Sequence, residues 1–449
     1  VRQFKEFELT RDFIEHFRNV LDIRDREAVI ASLDGVNPAD ISSLLYEYNS
    51  EESKWVLDLL ERDVHAQIIK DLDTDTRKVF LKIYNLSELV EVINQLDSDD
   101  AADILNELPI KTSEEVIAGL DAQLRSQVID LLRYDEHVAG GLMAKELVKV
   151  RDHWTVVECI REVRLQAEQV SKFYAAYVVD GEDRLLGRIS LQELILRDSK
   201  TLVRDILEEV IPVETYMEDL EVAEIMKKYD YESVPVVNVQ GVLVGRITID
   251  DVVDVISEQA DEDRQAMAGI SEDVEEDDTV WRNTRARLPW LLVGVLGGLL
   301  SARFMGFFEG ELTRIAAISF FVPLIQATGG NVGIQSSSII VQRLAGSYVP
   351  GTMRDRLAKV FLVALLNGTF LSLVVFAANL FLFGTGPLTF IVSVALFAVV
   401  VFASFIGTLT PLILHRFGFN PALASGPFIT TTNDLLGLTV YFSIVQLLL

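Results

Sequence analysis

Residues 321–338 read FVPLIQATGGNVGIQSSS, and they lie in the hydrophobic last third of a 449-residue chain. A helix that crosses a bilayer needs about 20 mostly apolar residues in a row. Here the apolar run 315–325 stops at Gln326. It gives way to Thr328, Gly329, Gly330, Asn331, Gly333, Gln335 and three serines before Ile339. Polar, glycine-rich backbone at membrane depth is tolerated only where protein or a watery cavity surrounds it. The stretch reads either as a loop between two short helices or as a broken helix lining a pathway for a solute. The second reading organises everything around it.

Working outward, hydropathy gives five spans near 289–308, 315–341, 360–383, 388–414 and 422–448, each at or near bilayer length. Their basic residues sort to one side: Arg282, Arg285 and Arg287, then Arg343, Arg354, Arg356 and Lys359, then Arg416. Only Arg303 and Arg314 fall on the other. The first side is therefore expected to be cytoplasmic, with Leu449 outside and Trp281 and Trp290 as interfacial anchors. Asp434, in ASGPFITTTNDLLGL, is the only acid deep in a span. A carboxylate there costs about 3 kcal/mol or more unless it is neutralised or faces water, which makes it the first functional candidate. Pro427, Thr431, Asp434 and Tyr441 recur on one helical face. Pro421, Gly426, Pro427 and Gly437 are expected to loosen that helix, and Asn331 and Gln335 to add neutral oxygens to the same cavity. The plain alternative is a protonated Asp bonded to a neighbouring helix.

Charge divides the chain. From Trp281 onward ten Lys and Arg stand against four acids, a balance of +6; before it stand 30 basic and 64 acidic residues, a balance of −34 within the total of −28. Such a field repels nucleic acid and anionic lipid and attracts cations, so no nucleic-acid partner is expected. Most of these acids also serve as a solubilising surface. Cys159 is the single cysteine, which excludes an intrachain disulfide. The first residues, VRQFKEFELT, are charged and carry no apolar core, so no export signal is expected in them.

In chain order, residues to about Tyr134 show helical apolar spacing throughout. Leu72-Asp73, Leu96-Asp97 and Leu120-Asp121 recur every 24 residues, each ahead of an amphipathic run, and the aspartates are placed to cap helices. Short helices at that period suggest a small solenoid. Next, YVVDGEDRLLGRISLQELI (177–195) and PVVNVQGVLVGRITIDDVV (235–253) correspond at an offset of 58, each a strand, a turn, a strand ending G-R-I-[ST], and a helix. This duplication resembles a tandem pair of CBS domains over about 141–257. The resemblance implies one pseudo-symmetric disc, with ATP or another adenine nucleotide in its cleft in some members. There a Ser or Thr with an acid three residues later holds the ribose. Thr248 and Asp251 match that pattern, and Ser190 with Glu193 matches it loosely. A plain N-cap with an acid at N3 accounts for the same residues. The acidic stretch 256–278 follows, helical in its first half.

GGNVGIQS (329–336), PALASGP (421–427), NDLLGL (433–438) and the AGGLM junction (139–143) together resemble the MgtE family of magnesium channels, over nearly the whole chain. The resemblance implies a multidomain membrane protein. Its parts are an all-α helical superhelical domain (1–134), an α/β tandem CBS pair (135–257, divided at about 200), an acidic connecting plug helix (258–280) and a five-helix transmembrane domain (281–449). It further implies a homodimer with a pore on its axis lined by the second and fifth spans. By the same resemblance Asp434 is expected to be the acid at the ion site, with Asn331, Gly330 and Ala424 around it. Gly426 and Ile334 depart from the family pattern, since a member of the family carries Asn at each. The chemistry agrees independently: magnesium prefers six oxygens, keeps several waters and takes one or two carboxylates, whereas zinc or copper would call for Cys and His.

The cytoplasmic acids are read as a gate-linked magnesium sensor, drawn from Asp97, Asp99, Asp100, Asp103, Asp230, Asp250, Asp251, Asp254, Glu258, Asp261, Glu262 and Asp263. Two carboxylates about 5 Å apart repel by roughly 3 kcal/mol at an effective dielectric of 20. A divalent ion turns that into attraction, and a few bridges exceed the ~5.5 kcal/mol that swings a two-state gate. Two rivals remain. An ion-coupled secondary transporter would use the same span and Asp434. A nucleotide-regulated chloride channel would line its path with basic groups or helix N-termini. No phosphate loop, nucleophile elbow or zinc-protease spacing points to an enzyme.

Overall fold

Asp25, Asn37, Asn49, Asp73 and Asn85 each stand one residue before a helix and accept a backbone N–H from its first turn, which is where the chain's helical rhythm is set. The computed structural model describes residues 7–166, 170, 172–271, 274, 279–344, 353–424 and 426–448. They divide into two compact units, Val1–Ile256 and Ser257–Leu449.

The first unit opens with α1 (Arg11–Asp22). It is followed by α2 (Arg26–Leu33), α3 (Pro38–Leu45), α4 (Ser50–Leu57), α5 (Arg62–Asp71), α6 (Thr74–Ile83), α7 (Leu86–Ile93), α8 (Ser98–Glu107), α9 (Ile110–Gly119) and α10 (Ala122–Leu131). From α2 onward the helices begin every twelve residues, so the 24-residue period in the sequence is two helices. Helices two apart pack together, α3 on α5, α5 on α7, α7 on α9 and α8 on α10, as a stacked solenoid requires.

After α11 (Ala139–Leu142) come β1 (Lys149–Arg151), α12 (Val156–Gln166), β2 (Ala175–Val179), β3 (Leu185–Ser190) and α13 (Leu191–Leu196). Then follow β4 (Val213–Glu214), α14 (Asp219–Tyr229), β5 (Ser233–Val237), β6 (Leu243–Thr248) and α15 (Ile249–Ala268). Two three-stranded sheets result, β1-β2-β3 and β4-β5-β6, each with one parallel and one antiparallel pairing. Even the bulge is duplicated, at Val178/Val179 and Val236/Val237. Leu185 N–H donates to Gly241 O at 3.1 Å and Leu243 N–H to Asp183 O at 3.0 Å, a reciprocal pair at the 58-residue offset that gives the sheets their pseudo-two-fold relation. The second repeat shares one continuous core with the solenoid, whereas the first has its own. The acidic segment is not a separate helix: α15 runs unbroken from the end of β6 to Ala268. Gly269 (φ +79°) then stops it, and Ile270 N–H bonds back to Gln265 O at 2.9 Å.

Among its described residues the second unit holds five helices long and apolar enough to cross a membrane: Val280–Phe308, Ala316–Leu344, Leu357–Phe383, Pro387–Arg416 and Pro427–Leu448. Their regular cores are α16 (Val280–Met305), α18 (Val322–Leu344), α19 (Met353–Phe383), α20 (Pro387–Arg416) and α21 (Pro427–Leu448), with a short α17 (Glu309–Arg314) between the first two. α20 packs against α18, α19 and α21 at the centre, while α16 and α19 turn Leu291, Leu296, Leu300, Leu362, Leu366 and Phe370 outward.

Three expectations are corrected. The second span is not broken in the stretch 326–338, which is continuous α-helix; the irregular part is a 3-10 turn, Ala316–Phe321, ahead of it. Its glycines serve close packing instead: Gly329, Gly330 and Gly333 are all buried against neighbouring spans. Pro427 does not loosen the fifth span but starts it, and Pro421–Ala424 is a separate 3-10 turn. Finally, α16 begins at Val280, so WRNTRARLPW is helical with Pro289 inside it.

Candidate ion site

The glycines of α18 let α21 come close enough to place Asp434. A Cβ built on Gly330 would lie 3.4 Å from Thr430 Cγ2 and 3.9 Å from Asp434 Oδ1, so the carboxylate faces the gap that the missing side chain leaves. α21 carries no basic residue, and those of α18 and α20 (Arg343, His415 and Arg416) stand at their C-terminal ends, so none is positioned to neutralise it. On α18 the positions Pro323, Ala327, Asn331, Gln335 and Ile339 form an outward stripe at steps of four, exposed in the single chain and polar in its middle. Gly330 and Asp434 come together, and Asn331 stands on the open face beside them. The expected common face of α21 is shared out: Thr431 packs on Gly297 of α16, and Tyr441 is fully buried with its hydroxyl donating to Ile318 O at 2.8 Å. Ser425, the side chains of Arg314, Arg354, Arg356 and Ala424, and the acids at 272–273 and 275–278 lie outside the described residues.

At the start of α21 the end of α15 is fastened down. Gly426 has φ +62°, and a Cβ there would run into the Met267 carbonyl oxygen; one on Gly269 would meet Pro427 and Trp290. Asn420 Nδ2 donates to Asp263 Oδ1 at 3.1 Å, and Ser271 N–H to Ala286 O at 2.9 Å. The glycine at 426 is thus a requirement of the contact in this chain, not only a lost amide. A cleft of about 440 Å3 remains, lined by Glu262, Gln265, Ile270, Trp290, Asn420 and Leu423. Asp261 pairs with Arg264.

The first unit gathers acids where α8 meets α15. Burial pushes Asp103 up to about 7, helped by Asp100 and Asp251, and Asp251 up to about 6, helped by Asp250. Asp99 is pushed well above the carboxylate range by burial and by Asp100 and Asp251. Asp254 and Asp71 are raised by burial. Burial acts on Asp250 in the same sense, yet it ends below its usual value because Lys172 and Thr248 hydrogen-bond to it. Two lysines that the sequence reading passed over sit among these acids: Lys70 Nζ lies 2.8 Å from Asp100 Oδ2, and Lys172 Nζ 2.7 Å from Asp250 Oδ2. A basic residue one position from an acidic patch was the signal that could have found Lys70. Asp97 is the N-cap of α8, and Asp230 is the exposed left-handed C-cap of α14. Among the described residues no three His, Cys, Asp or Glu converge into a preformed metal site.

At the nucleotide-type positions, Thr248 Oγ1 lies 2.5 Å from Asp250 Oδ1 and 2.9 Å from Asp251 Oδ2, while Thr248 N–H donates to Asp251 Oδ2 at 3.0 Å. Ser190 Oγ accepts from Glu193 N–H at 3.3 Å, and the Glu193 carboxylate turns to Arg197. Both are helix caps in this geometry.

Residues 322–444 match the family model described as MgtE, divalent cation transporter, residues 36–137 the MgtE intracellular N domain, and residues 138–200 and 203–258 the CBS domain. The chain is 35% identical over 448 residues to the magnesium transporter MgtE of Thermus thermophilus, covering 95% of this chain and 96% of that one. It is 30% identical over 424 residues to the magnesium transporter MgtE of Bacillus subtilis, at 94% and 93% coverage. The crystal structure of the cytosolic domain of the Mg2+ channel MgtE in complex with ATP aligns at 35% identity and TM-score 0.52, over 54% of this chain and 99% of that one. The soluble part of a magnesium transporter aligns at 26% identity and TM-score 0.51, over 56% and 98%. With its intracellular helical domain, paired CBS repeats and five candidate spans, the chain belongs to the MgtE family, a family of divalent cation transporters and not of enzymes.

Proposed function

We propose that this chain is a magnesium channel of the cytoplasmic membrane that works as a homodimer. The pore lies between the second and fifth spans of the two subunits, the acidic domains are inside and the C-terminus is outside. The observation that carries this reading is Asp434, the one acid deep in a span, facing Gly330 beside the open polar stripe of α18. A pair of such carboxylates across a two-fold axis, with Asn331, Gln335 and the Gly330 and Ala424 carbonyls nearby, suits a divalent ion that keeps much of its water. Relatives named as magnesium transporters support magnesium as the cargo.

Intracellular magnesium is the closing signal in this reading. The helical domain (1–134) and the CBS pair (135–257) meet through α8 and α15, whose carboxylates a divalent ion would draw together. The connecting segment (258–280) would carry the change to the membrane domain (281–449). The donors there are all oxygens, as magnesium prefers, and the ion would bridge them in pairs rather than enter a ready-made cage. The cytosolic domain crystallised with ATP supports a nucleotide in the CBS cleft, near Ser190, Thr248 and Asp251. The decisive experiment is magnesium flux into proteoliposomes for Asp434→Asn beside wild type, with an expected loss of about a hundredfold. Unchanged flux would remove Asp434 from the ion path. Unitary currents separate a channel from ion-coupled transport, which would saturate and follow a proton or sodium gradient.

A further inference from the structure

We propose that Asn433 is a positioning residue: by seating its amide in a notch on the second span, it fixes the rotation of the fifth span and hence the direction in which Asp434 points. The proposal rests on the pore reading above and adds to it.

Three spans meet at Gly333. On one side, a Cβ at Gly407 of α20 would run into the Gly333 carbonyl; on the other, a Cβ at Gly333 would overlap the Asn433 amide and lie 2.9 Å from Ile429 Cγ2. Asn433 is 2% exposed, and its Nδ2 has no hydrogen-bond partner among the described residues. A leucine, with the same number of side-chain heavy atoms and no polar group, would avoid the cost of burying an unmet donor in an apolar bundle. Buried polar groups kept at such a cost are best attested as devices that fix one register. The register here matters because residues 433 and 434 are consecutive, about 100° apart around the helix. With Asn433 in the notch, Asp434 faces Gly330; a turn by one position would carry the carboxylate away from it.

Thr431 on Gly297 and Tyr441 on Ile318 also hold α21, so a purely structural Asn433 would be dispensable for ion handling. Full-length Asn433→Leu, Asn433→Ala, Gly333→Ala and the Gly333→Ala/Asn433→Ala double variant, reconstituted in proteoliposomes, separate the two roles through Mg2+ flux and the ratio of Mg2+ to Co2+ flux. Asn433→Leu is expected to assemble normally, lose about tenfold in Mg2+ flux and change the Mg2+/Co2+ ratio by several-fold. Gly333→Ala is expected to lose more, and the double variant to return to the level of Asn433→Ala, since removing the amide makes room for the methyl group. Wild-type flux and ratio in Asn433→Leu, or a double variant no better than Gly333→Ala, would overturn the proposal. If Gly333→Ala does not fold, Asn433→Leu decides alone. Loss of flux in Asp434→Asn with none in Asn433→Leu defeats this inference only; intact flux in Asp434→Asn defeats the pore reading beneath it.

Discussion

The two units handle negative charge in opposite ways. In the first, acids are numerous, set on facing helices, and partly compensated by Lys70 and Lys172. Deep in the five spans stands one carboxylate, Asp434, and among the described residues α21 carries no basic side chain while those of α18 and α20 stand at the C-terminal ends. Many weak, tunable interactions suit a sensor, whose set point shifts with each bridge. A single carboxylate at membrane depth suits a step in conduction, where its loss has no backup. The hundredfold loss expected for Asp434→Asn is the largest effect this contrast predicts. The sharpest break of the contrast would be a single acid of α8 or α15 whose neutralisation costs as much flux.

If the proposed reading holds, removing the acidic domains should leave conduction intact and abolish control. A chain lacking residues 1–261 is expected to carry magnesium while internal magnesium, raised at least tenfold above the wild-type closing concentration, no longer shuts it. Normal closure in patch recordings of that chain would sever the sensor from the gate. A smaller effect is expected at Lys70, whose ammonium already bridges toward the acids that a divalent ion would bind. Lys70→Met should weaken the docking of α8 on α15 in EDTA, yet lower the magnesium concentration for half-closure by about threefold, since no tethered charge competes. A half-closure point unchanged or raised would show that Lys70 does not face the ion.

Much of this was legible in advance, for physical reasons that can be named. The Leu-Asp recurrence at 72, 96 and 120 marked helix starts because an aspartate suits the N-cap position, although only Asp73 of the three accepts a backbone N–H there; Asp97 and Asp121 stand at N-cap without that bond. The recurrence showed one start in two because Glu61, Asn85 and Pro109 begin the alternate helices with other residues. The 58-residue duplication was readable down to G-R-I-[ST] because strand pairing repeats its pattern of side chains. The misreading at 326–338 came from treating glycine as a helix breaker. In water that holds, but between spans a glycine is where another backbone approaches, and Val399, Gly407 and Asn433 are the partners. No sequence pattern near 333 names residues 66 to 100 positions away. Asn433 was quoted as part of NDLLGL and passed over for its charged neighbour, because a neutral amide signals nothing until its burial is seen.

The smallest effect concerns pH. Asp103 is faced by Asp100, Arg77, Asp251 and Glu136, and Asp251 by Thr248, Asp250 and Lys70; burial is the main reason both sit high, at about 7 and about 6. An acid whose folded value is raised holds its proton in the folded state after the unfolded chain has released it. Its contribution is fully present below pH 4 and is lost as pH climbs through the folded value. In EDTA, the thermal midpoint of the cytoplasmic unit should therefore fall as pH rises from 5.5 to 7.5, most steeply at the acid end of that interval and flattening above pH 7. Asp103→Asn should flatten that slope, because the amide copies the protonated acid and cannot release a proton. Saturating magnesium should flatten it too, by neutralising the carboxylates as they ionise, which ties this slope to the ion that the sensor is meant to read. A midpoint that rises over the same interval would mean that Lys70, Lys172 and Arg77 outweigh burial, and that the acids of α8 and α15 are already compensated without a metal.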